Sequence, residues 1–353
     1  MSQFVTVSMS TLCDIKSGKS DTKDAVENGE YAFFDRSKII KRSSRFLYDC
    51  EALIIAGEGA EFLPKHYIGK FDLHQRAYAL HNFKSSINVK YLFYYLHHLR
   101  DYLPSVAVGA TVKSLRLRHF ENLPVVLFPI HIQEKIVAKL DAIFAEIDRA
   151  TAAAETNAKN AEALFRSYLS NIQAPKTTLG EHVTIKTGKL DSNASVGDGK
   201  YPFFTCSKEV FAINDYAFDC EAVLLAGNNA SGDFNVKHYK GKFNAYQRTY
   251  VITIDAVDTL IYRYLYFQLV NALKRFKTMS VGANTKFLKI GMIKDLEFPL
   301  PKMDEQIKIL SNLSAVEINT DLLKKGYLKK LELSHKLKQS ILRQAFSGEL
   351  VKE

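Results

Sequence analysis

The sequence predicts an α+β protein built from two tandem copies of one unit, each a globular domain of mixed strands and helices followed by a long helix. The two long helices are predicted to pack as an antiparallel coiled coil, which gives the chain a pseudo-twofold internal repeat. Three observations lead to this fold class. Segments recur at a nearly fixed offset, short apolar runs alternate with glycine and asparagine, and two stretches show sustained helical periodicity.

The internal repeat is visible in matched segments of the two halves. Ile15-Lys-Ser-Gly-Lys19 returns as Ile185-Lys-Thr-Gly-Lys189 at an offset of 170 residues. Further pairs keep the offset between 170 and 173: Tyr31-Ala-Phe-Phe34 with Tyr201-Pro-Phe-Phe204, Tyr48-Asp-Cys-Glu51 with Phe218-Asp-Cys-Glu221, Lys65-His66 with Lys237-His238, Gln75-Arg76 with Gln247-Arg248, and Gln133 with Gln306. Such a constant register over so long a period indicates a duplicated domain and excludes a solenoid of short repeats.

Each globular domain is predicted to mix strands and helices. Buried strands are expected at Ala52–Ala56 and Ala222–Ala226, because these runs are apolar and short. Further strands are expected at Arg76–Leu80 and Thr249–Ile254, and helices at Tyr91–Leu99 and Ile261–Phe276. The four phenylalanines at positions 33, 34, 203 and 204 are expected in the core. The alternative is that their rings stack on the bases of a bound nucleic acid.

Two longer stretches carry apolar residues at helical spacing, the first from Ile132 to about Asn171 and the second from about Asp304 to Phe346. Each alone would leave an apolar stripe in water, so we expect the two helices to pair with each other. The alternative is that each helix packs on its own domain. Gly326 is expected to loosen the second helix midway. The predicted divisions are residues 1–130 and 174–302 for the domains, and 131–173 and 303–353 for the helices.

Charge separates the domains from the helices. The chain carries a formal charge of +10, of which the two globular domains hold +4 and +5, while the helical segments hold −1 and +2. This distribution favours domains that meet phosphates and helices that meet protein. The four cysteines show no metal-ligand spacing, so we expect free thiols. The N-terminal sequence has no signal-peptide pattern and no apolar run reaches about 20 residues, so a cytoplasmic location is expected.

Candidate DNA contacts cluster where basic, polar and glycine residues fall between predicted strands. In the first copy they are Lys16, Lys19, Arg36, Lys38, Lys41, Arg42, Arg45, Lys65, His66, His74, Gln75, Arg76 and Lys113. In the second copy they are Lys186, Lys189, Asn228, Asn229, Ser231, Lys237, His238, Tyr246, Gln247, Arg248 and Lys286. Arginine, asparagine and glutamine can pair with base edges, and lysine suits phosphates. The alternative for each is a solvated or turn-stabilising role. Residues that read bases should lie where the copies differ.

Motifs for catalysis are missing from the sequence. All eight prolines stand alone, so no amino-methyltransferase Asn-Pro-Pro-Tyr/Phe motif occurs, and no Glu-x-Lys nuclease signature or Walker loop is present. Gly57-Glu-Gly59 is an isolated fragment of a glycine motif. The paired carboxylates in Asp49-Cys-Glu51 and Asp219-Cys-Glu221 are expected at turns and strand edges. We therefore expect no catalytic, cofactor-binding or metal-binding residues in this chain.

The whole chain resembles the specificity (S) subunits of type I restriction-modification systems. The resemblance lies in the duplicated domain with Ile185-Lys-Thr-Gly-Lys189 and Phe243-Asn-Ala-Tyr-Gln-Arg248, in Leu300-Pro-Lys-Met-Asp-Glu-Gln306 before the second helix, and in the C-terminal Ile341-Leu-Arg-Gln-Ala-Phe-Ser-Gly-Glu-Leu-Val351. The first copy departs from the pattern at Phe128-Pro-Ile-His-Ile-Gln133, which lacks the glutamate before the glutamine.

The resemblance implies that each globular domain is a target-recognition domain for one half of a bipartite double-stranded DNA target. It also implies that the helices set the spacing between the halves and bind two modification (methyltransferase) subunits, which carry S-adenosylmethionine and the catalytic residues. A motor-nuclease restriction subunit could join them. Two other functions stay open from the residues alone, a self-contained DNA-modifying enzyme and a structural adaptor that does not touch DNA.

Overall fold

The computed structural model describes residues 4–351, and the chain divides into two compact units. Unit 1 comprises Met1–Ala153 and Leu328–Glu353, and unit 2 comprises Ala154–Tyr327. Each unit therefore contains one globular domain together with part of each long helix. This division cuts both long helices, whereas the domain boundaries predicted from the sequence follow the change from globular to helical pattern and stay a prediction.

The first copy contains eight strands and four helices within its described residues. Its strands are β1 (Val5–Ser8), β2 (Asp14–Ser17), β3 (Tyr31–Phe34), β4 (Lys41–Ser43), β5 (Tyr48–Ala56), β6 (Lys65–Leu73), β7 (Ala77–His81) and β8 (Pro124–Leu127). Its helices are α1 (Val89–His98), α2 (Tyr102–Val106), α3 (Leu117–Glu121) and α4 (Ile130–Ser170). Single helical turns at Met9–Thr11 and Thr22–Asp24 connect the first strands.

The second copy repeats the order of the strands, adds a short strand pair, and has three helices instead of four within its described residues. Its strands are β9 (Lys176–Thr178), β10 (Val183–Thr187), β11 (Tyr201–Phe204), β12 (Phe211–Ile213), β13 (Phe218–Ala226), β14 (Asn228–Asn229), β15 (Val236–Ala245), β16 (Thr249–Ile254), β17 (Lys286–Phe287) and β18 (Glu297–Pro299). Its helices are α5 (Tyr262–Met279), α6 (Ile290–Lys294) and α7 (Met303–Phe346), with single turns at Leu179–Glu181, Ser192–Ala194 and Glu349–Val351.

Both domains contain the same six-stranded sheet. The strand order is β2-β7-β5-β6-β3-β4 in unit 1 and β10-β16-β13-β15-β11-β12 in unit 2. The β3–β6 and β11–β15 pairs are parallel, and the other pairs of each sheet are antiparallel. A two-stranded sheet of β1 with β8, or β9 with β18, accompanies each. The repeat in the sequence is thus a repeat of the fold, and the α+β prediction is confirmed.

The central strand of each sheet is buried on both faces. In β5, Leu53 and Ile55 join the large core against α1, while Ala52 and Ile54 join a smaller cluster with Phe34 on the opposite face. Alternate residues of a strand point to opposite faces, so a continuous apolar run is what such a strand requires. The four phenylalanines at positions 33, 34, 203 and 204 are buried as expected.

The long helices pair antiparallel within each unit. In unit 1, Lys338 of α7 lies 2.6 Å from Asp148 of α4, and the hydroxyls of Ser334 and Thr151 are 3.0 Å apart. In unit 2, Lys324 lies 3.1 Å from Glu162, and Asn312 donates to the Tyr168 hydroxyl at 2.9 Å. Residue numbers rise along one helix as they fall along the other, which confirms the predicted antiparallel arrangement.

The helices also pack on the domains, so the alternative packing is present together with the predicted one. Ile136 and Leu140 of α4 belong to the core of unit 1, and Ile309 and Leu310 of α7 pack against the core of unit 2, so each helix packs on its own domain. The C-terminal end of α7 packs on the first domain instead, where Leu342 and Phe346 belong to the core of unit 1. The expectation that Gly326 loosens α7 is wrong, because Met303–Phe346 is one uninterrupted helix. Glycine costs a helix only about 1 kcal/mol relative to alanine, and the helix pairing offsets that amount.

A buried glutamine joins each long helix to its domain. The side chain of Gln133 is fully buried, donates to the carbonyl oxygens of Ser86 (2.9 Å) and Phe128 (2.7 Å), and accepts from the Asn88 amide (2.8 Å). Gln306 is equally buried and makes the same three bonds to Thr259, Pro301 and Ile261. The missing glutamate of the first copy therefore leaves this connection intact, and α4 begins at Ile130.

The two Asp-Cys-Glu segments lie inside strands, so the turn expected there is wrong. Asp49 and Glu51 belong to β5, and their stretch of the strand pairs only with β6. It is therefore an edge, as the sequence suggested. Glu51 lies 2.8 Å from His66, and Glu221 lies 2.9 Å from His238 at the matched positions.

Acidification is expected to destabilise unit 1 through His97. Burial lowers the pKa of His97 from its ordinary 6.5 to about 4, with Arg100 and Lys338 acting in the same direction, and burial also lowers the pKa of His98. The unfolded chain then binds the proton more readily than the folded one. Stability is therefore complete above pH 6.5 and falls by about 2 kcal/mol between pH 7 and 5.

Urea denaturation of the wild-type chain and of a His97→Gln, His98→Gln variant at both pH values checks this expectation. The variant should lose most of the pH dependence of the free energy of unfolding in this range. An equal slope in both proteins would show that other groups carry the acid sensitivity.

Candidate nucleic-acid interface

The Lys-Ser/Thr-Gly-Lys turn places two lysines of each domain beside a glycine that the fold requires. A Cβ on Gly18 would lie 1.9 Å from the carbonyl oxygen of Leu73, and one on Gly188 would lie 1.8 Å from that of Ala245. Only glycine permits so close a backbone approach. The flanking lysines are exposed in both copies: Lys16, Lys19, Lys186 and Lys189. The glycine is therefore scaffold, while the lysines are free to meet a ligand.

The basic segment 36–45 is largely held by acceptors of its own domain. Lys41 lies 2.6 Å from the buried carboxylate of Asp35, and Lys38 lies 3.3 Å from Glu61. Arg42 donates to the carbonyl oxygens of Gly29 (2.8 Å) and Glu30 (2.6 Å).

Arg45 lies 3.1 Å from Asp24 and 3.5 Å from the buried Asp72, and it also donates to the Ser20 hydroxyl. Its side chain remains more than half exposed. Arg45 is thus positioned by its partners and still presented to solvent.

Lys65 and Lys237 serve the scaffold at matched positions. Lys65 donates to the Ser37 carbonyl oxygen at 2.7 Å, and Lys237 donates to the carbonyl oxygen of Ser207 and to Asn235. Burial lowers the pKa of both lysines. These two ammonium groups therefore anchor the turn after β3 and the corresponding turn after β11.

The predicted histidine contacts also have partners within the domain. His66 and His238 face the glutamates on the neighbouring strand. His74 is buried, and its Nδ1 accepts the backbone amide of Arg76 at 3.0 Å. The geometry favours structural roles for all three rings.

In unit 1, two of the predicted residues line a recess of about 360 Å³ at the end of the central strand, and two more contact residues beside it. Gln75 and Arg76 line it, together with Gly57, Glu58, Tyr78, Ser114, Leu115 and Arg116. Arg36 lies 3.9 Å from the Glu58 carboxylate, and the Lys113 carbonyl accepts the Gly59 amide at 3.0 Å. The recess therefore collects residues from three separate loops.

Close backbone packing forms the base of this recess. The Gly57 amide donates to the Arg76 carbonyl oxygen at 2.8 Å, and the Leu115 amide donates to the Gly57 carbonyl oxygen at 2.8 Å. A Cβ on Gly57 would lie 2.7 Å from the Arg76 carbonyl oxygen. Gly227 makes the same two bonds with Arg248 and Leu288 in unit 2.

Unit 2 builds the matched surface with different side chains. Asn228 pairs with Phe287 and Asn229 with Lys286 in the β14–β17 ladder. The Asn229 side chain accepts from the backbone and hydroxyl of Ser231 and from the Asp233 amide, which fixes the loop. Tyr246 is half-buried, while Gln247 and Arg248 are exposed. The same scaffold thus presents a different set of polar groups.

Sequence reasoning missed three residues of these surfaces. Glu58 and Arg116 line the recess of unit 1, and Lys277 lies 2.5 Å from Asp233 beside the Ser231 loop. The difference between Glu58 and Asn228 inside an otherwise matched segment was the available signal. Arg116 and Lys277 carried no such signal, because the fold alone brings them to these loops.

Metal-binding clusters and membrane-spanning helices are both absent from the described part of the chain. Residues 4–351 hold no group of three or more histidine, cysteine, aspartate or glutamate side chains placed to bind a metal ion. Within that range no helix has the length and apolar character needed to cross a membrane. The four cysteines are free thiols, and burial raises the pKa of Cys13 to about 12.

Comparison with protein families gives one match over most of the chain. Residues 1–156 and 175–333 match the family described as the type I restriction modification DNA specificity domain. The two matched stretches contain the two globular domains and part of each long helix.

Individual relatives are described as specificity subunits of type I restriction enzymes. The EcoDI specificity subunit of a type I restriction enzyme from Escherichia coli is 41% identical over 175 residues, which are 50% of this chain and 38% of that subunit. The StySPI specificity subunit from Salmonella potsdam is 22% identical over 395 residues, covering 96% of this chain and 81% of that subunit. The chain thus matches well under half the length of the first relative and most of the second.

A solved structure shares the fold. A chain from work on complex assembly and conformational transition of the type I restriction-modification system matches with a TM-score of 0.70. The match covers 98% of both chains at 16% identity.

Proposed function

This chain belongs to the type I restriction-modification DNA specificity family, and we propose that each of its two domains reads one half of a bipartite double-stranded DNA target. Recognition of DNA sequence is the property of the family. One observation carries the finer assignment: two sheets of identical order present different side chains at matched positions, such as Glu58 and Asn228. A shared scaffold with divergent contact residues suits two readers of two different half-targets.

The DNA-contact residues of this proposal are the members of the predicted set that solvent can reach. In the first domain they include Lys16, Lys19, Arg45, Gln75, Arg76 and Lys113, and in the second Lys186, Lys189, Gln247 and Arg248. The lysines would meet phosphates, while the glutamines and the shared arginines Arg76 and Arg248 would meet phosphates or base edges common to both half-targets. Discrimination between the half-targets would fall to positions that differ, such as Glu58 and Asn228. Members bonded within their own domain, such as Lys65, His74 and Lys237, would support the loops that carry them.

The helices would fix the gap between the half-targets and bind two modification subunits. Both helical segments are nearly neutral, and α7 leaves Ile307, Ile318 and Leu322 exposed in unit 2. Exposed apolar side chains of this kind favour protein partners. S-adenosylmethionine and the catalytic groups would belong to those partner subunits, and a motor-nuclease subunit could join them. The predicted domain boundaries at residues 130, 173 and 302 follow these roles. A cytoplasmic location is expected for a subunit that binds the DNA of its host.

Salt-dependent binding to random-sequence duplex tests the DNA-facing surface. Replacing Lys16, Lys19 and Lys113 by alanine in the full chain should reduce the slope of log affinity against log salt by about 0.9 for each phosphate interaction removed. Removing equal charge from the exposed α7 lysines Lys325, Lys329 and Lys330 is the matched control and should leave the slope nearly unchanged.

Two results would contradict the proposal. A wild-type chain without salt-sensitive affinity would favour the structural adaptor. Methyl transfer by the purified chain alone would favour the self-contained enzyme.

A further inference from the structure

A carboxylate lies in the middle of the basic recess of unit 1. The Glu58 side chain is 15% exposed, lies 2.5 Å from Arg76, and shares the recess with Gln75 and Arg116. It is the acidic member of the lining in the described part of the chain. A negative charge at this place repels DNA phosphates, so its presence on a DNA-facing surface requires a different physical reason.

Stability does not supply that reason. Glu58 pairs with Arg76 and Arg36, whose side chains are 63% and 64% exposed. Ion pairs that tie down exposed arginines contribute little to folding, because solvent screens them and ordering the side chains costs entropy. The backbone of Glu58 forms its bridge to Ser114 whatever the side chain is.

The chemistry of the group suggests what it recognises. An ionised carboxylate only accepts hydrogen bonds, and the guanidinium of Arg76 only donates them. In the major groove, cytosine and adenine present an exocyclic amino donor, whereas guanine and thymine present carbonyl acceptors at the corresponding edge. Glu58 would pair with the first two and repel the last two.

We propose that this recess reads one base of the first half-target, and that Glu58 accepts a hydrogen bond from the exocyclic amino group of a cytosine or adenine. The inference rests on the proposed function of the domain as a DNA reader. Arg76, beside Glu58, donates to acceptor atoms on the same or the neighbouring base pair. A single contact of this kind discriminates between bases by roughly ten- to a hundredfold.

The second domain supports the assignment at the matched position. Asn228 follows Gly227 as Glu58 follows Gly57, and Cys206 replaces Arg36 at the offset of 170. Arg248 is retained as the counterpart of Arg76, but an asparagine replaces the carboxylate of Glu58, which can only accept hydrogen bonds. An asparagine side chain both donates and accepts, which suits the two-pronged edge of adenine. The matched surface of unit 2 would therefore read its base with a different group on the same scaffold.

The test is selection from a duplex library randomised across both half-targets, using the full chain assembled with its methyltransferase partner. The wild-type complex should select cytosine or adenine at one position of the first half-target. In Glu58→Gln the preference for those bases at that position should fall by ten- to a hundredfold, and the second half-target should be unchanged. Asn228→Asp should alter the second half-target alone. Glu61→Gln is the matched control. Glu61 lies three residues after Glu58 and pairs with Lys38 and Arg100, and its substitution removes the same charge but should leave the selected sequence unchanged.

Thermal unfolding of each variant separates loss of fold from loss of specificity, and the near-isosteric glutamine should unfold like the wild type. If Glu58→Gln changes overall affinity without changing the selected bases, the base-reading role of Glu58 is wrong while the proposed function stands. If the affected position prefers guanine or thymine, the hydrogen-bond assignment is wrong. A wild-type complex that selects no bipartite sequence contradicts the proposed function itself.

Discussion

Replacing Gln306 by leucine is expected to lower the free energy of unfolding of unit 2 by about 3–5 kcal/mol. Leucine nearly conserves the volume, so the cost comes from missing hydrogen bonds and not from a cavity. The Thr259 and Pro301 carbonyl oxygens and the Ile261 amide would each lose their buried partner. Gln133→Leu should have a similar effect on unit 1 because Gln133 makes the matched three bonds.

Urea denaturation of the full chain measures both changes. Gln344→Leu, at an exposed position of α7, is the control and should change the free energy of unfolding by less than about 0.5 kcal/mol. A cost for Gln306→Leu as small as that of the control would mean that water or backbone movement replaces the missing bonds.

Alanine at Gly18 or Gly188 is expected to destabilise its domain by about 3 kcal/mol or more. The new methyl group would lie within 1.9 Å or 1.8 Å of a carbonyl oxygen at the end of β6 or β15, so the strand or the turn must move. Movement of the turn also displaces the lysines on both sides of the glycine, and affinity for duplex DNA should fall with stability.

Gly197→Ala supplies the matched control for these substitutions. Nothing lies within 4 Å of a Cβ built at Gly197, so that variant should be neutral or slightly stabilising. Denaturation midpoints of the three variants rank the effects. Equal midpoints for Gly18→Ala and Gly197→Ala would show that the turn relaxes freely and that the glycine is not a requirement of the fold.

The fold was largely predictable because the repeat doubled each local signal. The apolar run at Ala52–Ala56 predicted a buried strand, and its counterpart at Ala222–Ala226 supported the same conclusion independently. Helical periodicity predicted α4 and α7 and their pairing. The uninterrupted helix at Gly326 was not predictable, because a local propensity for glycine is overridden by packing along more than forty residues.

The site was less predictable because burial and partners decide what a polar side chain does. Lys65 and Lys237 are of a residue type that often binds phosphate, but each is half-buried and donates to a carbonyl oxygen of its own domain. Glu58 looked like part of a glycine-rich fragment without a role. Its meaning depends on Arg36 and Arg76, which reach it from distant segments, and this proximity exists only in the folded domain.

Exchange of one domain tests most directly whether each domain reads one half-target. Residues 11–130 would be replaced by those of a relative with another target, and the methylated positions in the host genome would then be mapped. We expect the half-target read by the first domain to change to that of the relative, while the other half and the gap length are retained. A change in both halves, or in neither, would contradict the assignment of one half-target to each domain.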